Sequence, residues 1–230
     1  NQIRMGALLL LLAFVCTAFV FLTGLHQMMA IVSWNAQAHE AAQRLNAMDR
    51  KLLDETLKDK ASTAIVFQNA DLKVSAFLVD HRPVSSAFGY RFDYKGRSVV
   101  ISGDTLPDEA LRREAQNVDL LLHEVLNPEM LLTMNRAAAR SGRNVVRNVT
   151  HDILDYHTFP EEAARIARDA NARHLVFHHF IPPVPMAILH RAFLGNSRQY
   201  FDGPITMGVE GMLFSLPAHS NAIEKGWLLQ

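Results

Sequence analysis

Three short runs of buried character, Ser98 to Ser102, Val118 to Val125 and Arg173 to Phe180, recur with helical stretches at Pro107 to Gln116, Pro128 to Ala139 and Pro160 to Ala170 between them. A strand that returns after a helix to run in its predecessor's direction pairs with it in parallel. That order predicts a parallel crossover sheet over the second half of the chain. The segment before it reads differently. Thr63 to Phe67, Leu72 to Val79 and Ala87 to Tyr94 are β-rich runs, with Asn69-Ala70-Asp71 and Lys95-Gly96-Arg97 as the turns of a meander. Phe88-Gly89-Tyr90-Arg91-Phe92 is set to pair with Val99-Val100-Ile101 across the second turn. The expected class is α/β (α+β). A last strand pair, Ile205 to Val209 and Met212 to Leu216, is expected around Glu210-Gly211.

The chemistry-bearing residues fall where these strands end. Val99 to Thr105 reads V-V-I-S-G-D-T, a β-branched run that stops in small residues and delivers Asp104 to the tip of a sheet. His81 in L-V-D-H, His157 in D-Y-H-T and His179 in L-V-F-H-H-F sit in similar settings. One carboxylate with several imidazoles is the donor set of a divalent metal such as zinc. The lone Cys16 excludes an internal disulfide framework and any all-cysteine metal site, whereas 11 histidines make imidazole the abundant ligand. Lys plus Arg (23) equals Asp plus Glu (23), so no global basic field marks a nucleic-acid partner. A local basic series remains at Arg136, Arg140, Arg143 and Arg147, either a solvated helix and loop face or a lip that contacts phosphate.

The N-terminus is a separate unit. Met5 to Leu22 carries no charge, Leu8 to Leu12 are consecutive leucines, and Arg4 precedes the run. Its length suits a tilted membrane span. Arg4 would keep its own end cytoplasmic, so the chain would be membrane-anchored or exported to the periplasmic side. If the run is instead a buried core helix or strand pair, the chain is cytoplasmic. The expected division is residues 1–34 as an apolar leader or anchor and 35–230 as the folded domain. Asn35 to Lys60 opens that domain as a helix, with Ala38, Ala41, Leu45, Met48 and Leu52 on one stripe.

In order, D-H-R-P-V-S-S-A-F-G-Y-R-F, S-G-D-T, L-L-L-H-E, H-T-F-P-E-E-A-A-R-I-A and L-V-F-H-H-F resemble the second half of a metallo-β-lactamase-fold hydrolase. Within that superfamily the motifs are most similar to the ribonuclease Z and arylsulfatase-like branch, over about Leu72 to Leu216. The resemblance implies an αββα sandwich with two metal ions, usually zinc, at one edge of the paired sheets. It implies His81 as a ligand of the first metal, Asp104 as the bridge and His179 as a ligand of the second. His178, pointing the other way by strand alternation, is then structural. It further implies that His157 is catalytic, beside the scissile phosphate, and that His123 and Glu124 orient the site from behind it. The implied reaction is attack of a metal-activated hydroxide on a small ester, a sulfate ester or a nucleic-acid phosphodiester.

One departure sets the expectations for activity. The family's H-x-H-x-D-H run has no counterpart here, since only His26 and His39 precede His81. The surviving residues give each metal two protein ligands, and zinc takes three or four. Weak or partial zinc binding and impaired turnover are therefore expected, from an internal deletion, a truncated reading frame or a divergent pseudoenzyme. The alternative function is a non-catalytic, membrane-associated remnant or binding protein with a partial metal site. An incomplete N-terminal half would also leave an apolar sheet face, which the Met5 to Val32 segment or a second copy of the chain in a homodimer is expected to cover. Pro182-Pro183-Val184-Pro185 is expected to stiffen a loop at the pocket rim.

Overall fold

The computed structural model describes Leu57 and residues 62–84, 87–184 and 186–228. The proposed leader (1–34), His26, His39 and, apart from Leu57, the helix expected over Asn35 to Lys60 lie outside the described residues. Among the described residues no helix is long and apolar enough to cross a membrane.

Seven strands form one sheet in chain order: β1 (Thr63–Gln68), β2 (Leu72–Val79), β3 (Ala87–Tyr94), β4 (Arg97–Ile101), β5 (Leu120–Leu126), β6 (Leu175–Ile181) and β7 (Ile205–Met207). The first four form an antiparallel meander, and β4 to β7 run parallel. The Asn69 side chain accepts from the Asp71 and Leu72 N–H groups at 2.9 and 2.8 Å, closing the first turn. Tyr90 faces Ile101 and Phe92 faces Val99, the register expected from the alternation. Two reversals separate β2 from β4, so β2, β4, β5 and β6 all point the same way. Their C-terminal ends therefore share one edge, where sheets of this kind hold their ligands.

Among the described residues five α-helices connect the parallel strands: α1 (Glu109–Glu114), α2 (Pro128–Arg140), α3 (Asn144–Asp152), α4 (Pro160–Asp169) and the single-turn α5 (His190–Phe193). Leu111 of α1 and Ala163, Ile166 and Ala167 of α4 pack into one apolar cluster with Phe77, Val100, Leu121, Val125 and Phe177 of the sheet. Small residues on α4 let its axis lie close to the strands. Gly89 meets the same demand inside the sheet, opposite Phe77. A Cβ there would stand 2.4 Å from Cζ of the Phe77 ring, which is fully buried and has nowhere to turn. Gly89→Ala is expected to cost about 1–3 kcal/mol by overpacking. A chemical denaturation midpoint equal to that of the native protein would contradict that packing.

At the edge opposite the strand C-termini, Arg97 and Asp119 form a bidentate pair, Nε to Oδ2 and Nη2 to Oδ1 both at 3.0 Å. Both side chains are almost wholly buried. Asp119 also accepts from the Ser98 N–H at 2.9 Å and pairs with Arg173, while Arg97 Nη1 donates to the carbonyls of Pro217 and Ala222. The pair thus closes the β4–β5 edge and ties it to the C-terminal segment.

Two expectations are corrected. The helix expected from Pro107 begins at Glu109, because the Asp108 side chain caps it by accepting from the Ala110 N–H at 2.7 Å. Ile205 to Val209 and Met212 to Leu216 do not pair with each other. Ile205–Met207 joins β6 as the last strand of the large sheet, and β8 (Met212–Ser215) pairs with β9 (Glu224–Trp227) in a separate ribbon. Ser141-Gly142 ends α2 as the sequence indicated, and a further helix, α3, follows it directly. The described residues contain one large mixed sheet with helices, the α/β class expected. The second large sheet of an αββα sandwich is not among them.

Candidate active site

Asp104, Glu124 and His179 arrive at the shared edge from the ends of β4, β5 and β6, and His81 from the end of β2. His157 comes from the segment that enters α4. The β4 loop turns through Gly103, whose φ is +64° and where a Cβ would lie 2.4 Å from the Phe88 carbonyl oxygen. Only glycine fits that close approach. The loop is then pinned by the Leu106 N–H, which donates to the Asp80 carbonyl at 2.7 Å next to His81.

His179 owes its direction to a bulge. Glu124 pairs with His178 and Val125 with Phe180, leaving His179 unpaired at φ +48°. That conformation costs a β-carbon residue about 1–3 kcal/mol and recurs where a strand must re-aim a side chain. His179 Nε2 lies 3.7 Å from Asp104 Oδ2. His157 stands between the other imidazoles, its ring centroid 5.0 Å from that of His81 and 6.1 Å from that of His179. Tyr156 sets its ring edge-on to His81 at 5.2 Å.

The hydrogen bonds fix which nitrogens face the cluster. His81 Nδ1 is 2.9 Å from the Tyr156 carbonyl, which can only accept, so Nδ1 carries a proton and, in the neutral tautomer, the lone pair is on Nε2. His157 Nδ1 is 3.1 Å from Glu124 Oε2. Glu124 is fully buried, and its other oxygen accepts from the Thr105 and Thr158 N–H groups at 3.2 and 3.0 Å. One carboxylate therefore holds the His157 ring, the residue after Asp104 and the residue after His157. Thr158 Oγ1 donates to the Thr105 carbonyl at 2.6 Å, and Ser102 Oγ accepts from the Glu124 N–H at 3.0 Å.

His123 stands apart from this cluster. Its Nδ1 donates to the Glu124 carbonyl at 2.7 Å, while Nε2 is buried with no hydrogen-bond partner among the described residues. Burial lowers its pKa below the ordinary imidazole value, and the nearby Glu124 only partly offsets this, so the ring is held neutral. His178 Nε2 is likewise shielded without a partner, and burial followed by the neighbouring imidazoles His123 and His179 pushes its pKa down to about 4. The structure thus brings His81, Asp104, His157 and His179 together, with Glu124 directly behind, and keeps His123 and His178 off the cluster. Sequence reasoning did not foresee the Glu124–His157 bond or the part of Tyr156. A carboxylate at the end of an otherwise apolar buried strand was the available signal, since such a group is buried only with partners.

The donor types suit zinc and their number does not. Among the described residues no group of three His, Cys, Asp or Glu side chains is arranged to hold an ion. A zinc site takes three or four ligands.

With a mixed sheet whose strand ends carry this carboxylate and imidazole edge, the chain belongs to the β-lactamase superfamily, and residues 20–180 match the family described as "Beta-lactamase superfamily domain". It is 36% identical over 103 residues to the ribonuclease Z of Mycobacterium avium (strain 104), covering 45% of this chain and 33% of that protein. Against the ribonuclease Z of Mycobacterium tuberculosis (strain ATCC 25618 / H37Rv) it is 33% identical over 105 residues, 46% of this chain and 34% of that protein. The matched segment spans about a third of the length of these relatives. Among solved structures, the metallo-β-lactamase fold protein YhfI from Bacillus subtilis is 18% identical with a TM-score of 0.47, covering 73% of this chain and 54% of that one. The short form of human tRNase Z is 23% identical with a TM-score of 0.38, covering 51% and 39%.

Proposed function

We propose that this chain is a hydrolase of the ribonuclease Z type that cleaves phosphodiesters at the edge formed by His81, Asp104, His157 and His179. The observation that carries this reading is the buried Glu124–His157 pair. A carboxylate with no exposure, spending one oxygen on orienting a single imidazole among three, suits a ring that must move a proton at a fixed atom. With Nδ1–H held by Glu124, the neutral ring offers the Nε2 lone pair to an attacking water. The protonated ring offers Nε2–H to the leaving oxygen. His81, Asp104 and His179 supply this chain's share of donors for zinc, fewer than a closed site uses. Small sulfate and related esters are the competing substrate class.

The test is turnover of bis(p-nitrophenyl) phosphate with added zinc, beside p-nitrophenyl sulfate. His157→Gln is expected to lower kcat on the diester by about 10²–10⁴-fold, the usual worth of a general acid or base. Native-level turnover in that variant would remove His157 from the reaction. The short donor count favours a second reading, a binding remnant with a partial site, and a native protein that hydrolyses neither substrate above the buffer rate would establish it.

A further inference from the structure

The edge that gathers His81, Asp104, His157 and His179 has a polar floor and an apolar rim. His179 and Asp104 leave 51% and 38% of their side chains open to solvent, so the floor is reachable. Two loops flank it, one leaving β2 through His81 and one leaving β6 after His179. Each holds large aliphatic side chains out in water. Val84 on the first is 54% exposed, and Met186, Ile188 and Leu189 on the second are 55%, 83% and 37% exposed. Neither loop is slack. The Val84 N–H donates to the His81 carbonyl, and the Leu189 N–H to the Met186 carbonyl, both at 2.9 Å. The second loop is also anchored on both sides of its apolar tip. Val184 belongs to the buried core, and Phe193 in α5 is fully buried with its ring 5.6 Å from that of Phe180. The same loop therefore turns Val184 inward and keeps Met186 and Ile188 outward. Tyr156, half-buried, links rim to floor, its ring centroid 5.2 Å from that of His81 and 5.1 Å from that of His157. Aliphatic side chains held out together beside a reactive edge mark a surface that a ligand covers.

We infer that this rim is a subsite for an alkyl chain carried by the ester whose scissile bond lies at His157. This rests on the hydrolase reading and names its substrate class as an amphiphilic phosphodiester, anionic at the floor and aliphatic along the rim. A diester held at His157 has a second substituent that must leave the floor. Tyr156 is the apolar surface nearest the two imidazoles, and Val84 on one side and Met186, Ile188 and Leu189 on the other continue it outward. A substituent of hydroxyls or charges would leave those side chains wet. An alkyl arm covers them, and each methylene fully buried is worth roughly fourfold in affinity. The side chains also suit an arm with no fixed shape, since methionine fills irregular gaps and adapts to what it meets. A membrane surface would cover the same side chains, but it would place no scissile bond at His157.

The experiment compares binding of methyl butyl phosphate and methyl octyl phosphate to the full chain with added zinc, each below its aggregation concentration. Calorimetry gives the affinities, and ¹³C-labelled methionine and isoleucine methyl groups report where the chain lies. The octyl diester is expected to bind at least about tenfold more tightly, the gain from four further methylenes that are about half covered. It is expected to shift the Met186 and Ile188 methyl signals. In the double variant Met186→Ser, Ile188→Ser the octyl advantage should fall below about threefold. Both positions are exposed, so the fold tolerates the change, and an unchanged melting temperature checks this. Equal affinities for the two diesters in native protein, or an octyl advantage that survives in the double variant, overturn the proposal. So do rim signals that shift with phosphatidylglycerol vesicles and not with the octyl diester. Turnover of bis(p-nitrophenyl) phosphate by native protein reports on the hydrolase reading separately, because binding is measured whether or not a bond is cut.

Discussion

Glu124→Ala is expected to destabilise the domain by about 3–5 kcal/mol, while Glu124→Gln keeps the fold and loses the chemistry. The alanine change leaves the Thr105 N–H, the Thr158 N–H and His157 Nδ1–H without their acceptor, all three on residues that are almost or wholly buried. Each buried donor so orphaned costs about 1–3 kcal/mol, and neighbouring losses do not add in full. Glutamine retains one acceptor oxygen for the two backbone N–H groups. Its NH₂ then faces His157 Nδ1 and drives the ring to the opposite tautomer, so Nε2 carries the proton in the neutral state. Turnover on a phosphodiester should fall at least about 100-fold, with the melting temperature of the glutamine variant well above that of the alanine variant. Equal melting temperatures for the two variants, or native turnover in Glu124→Gln, would show that Glu124 neither braces the edge nor orients His157.

The second large effect lies at the other end of the sheet. Removing one member of a buried, hydrogen-bonded ion pair strands the other charge, so Asp119→Ala is expected to cost about 3–5 kcal/mol. The cost has a pH signature. Burial alone would raise the Asp119 carboxyl, but hydrogen bonds from Arg97, the Ser98 N–H and Arg173, together with the Arg97 charge, outweigh it and hold the pKa below its ordinary 3.8. A depressed folded-state value stabilises the native protein fully above the unfolded value, and that contribution is lost as pH falls through the folded one. Native protein should therefore lose stability between about pH 4 and lower values, and the gap to Asp119→Ala should narrow over the same range. A gap that stays constant from neutral pH to pH 2 would contradict the linkage.

The strands were the legible part of the fold. Leu72–Val79 and Ala87–Tyr94 coincide with the runs read from alternation, because period two and turn residues are local signals. The change from meander to parallel crossovers was equally plain, since a helix between strands leaves few ways to return. What was lost depends on distant partners. Asn144–Asp152 is rich in valine and asparagine, poor helix formers, and it is helical through packing and the Asn135 bonds to α2. Met212–Ser215 found Glu224–Trp227 rather than its chain neighbour, and no periodicity marks which strand a short run will choose. At the site, residue types at strand ends pointed to Asp104, His81, His157 and His179, but the bulge that turns His179 and the bond from Glu124 across to His157 arise only from three-dimensional register.

The most direct test of the shared edge is a zinc titration of the full chain followed by long-range ¹H–¹⁵N NMR of the histidine rings. The account predicts that the Nε2 signals of His81 and His179 shift together with one weak apparent affinity. It predicts that Nδ1 of His81 and His157 stay protonated at neutral pH, and that Asp104→Ala abolishes the joint shift. Signals that move independently, or that respond identically in Asp104→Ala, would mean that these side chains do not form one site.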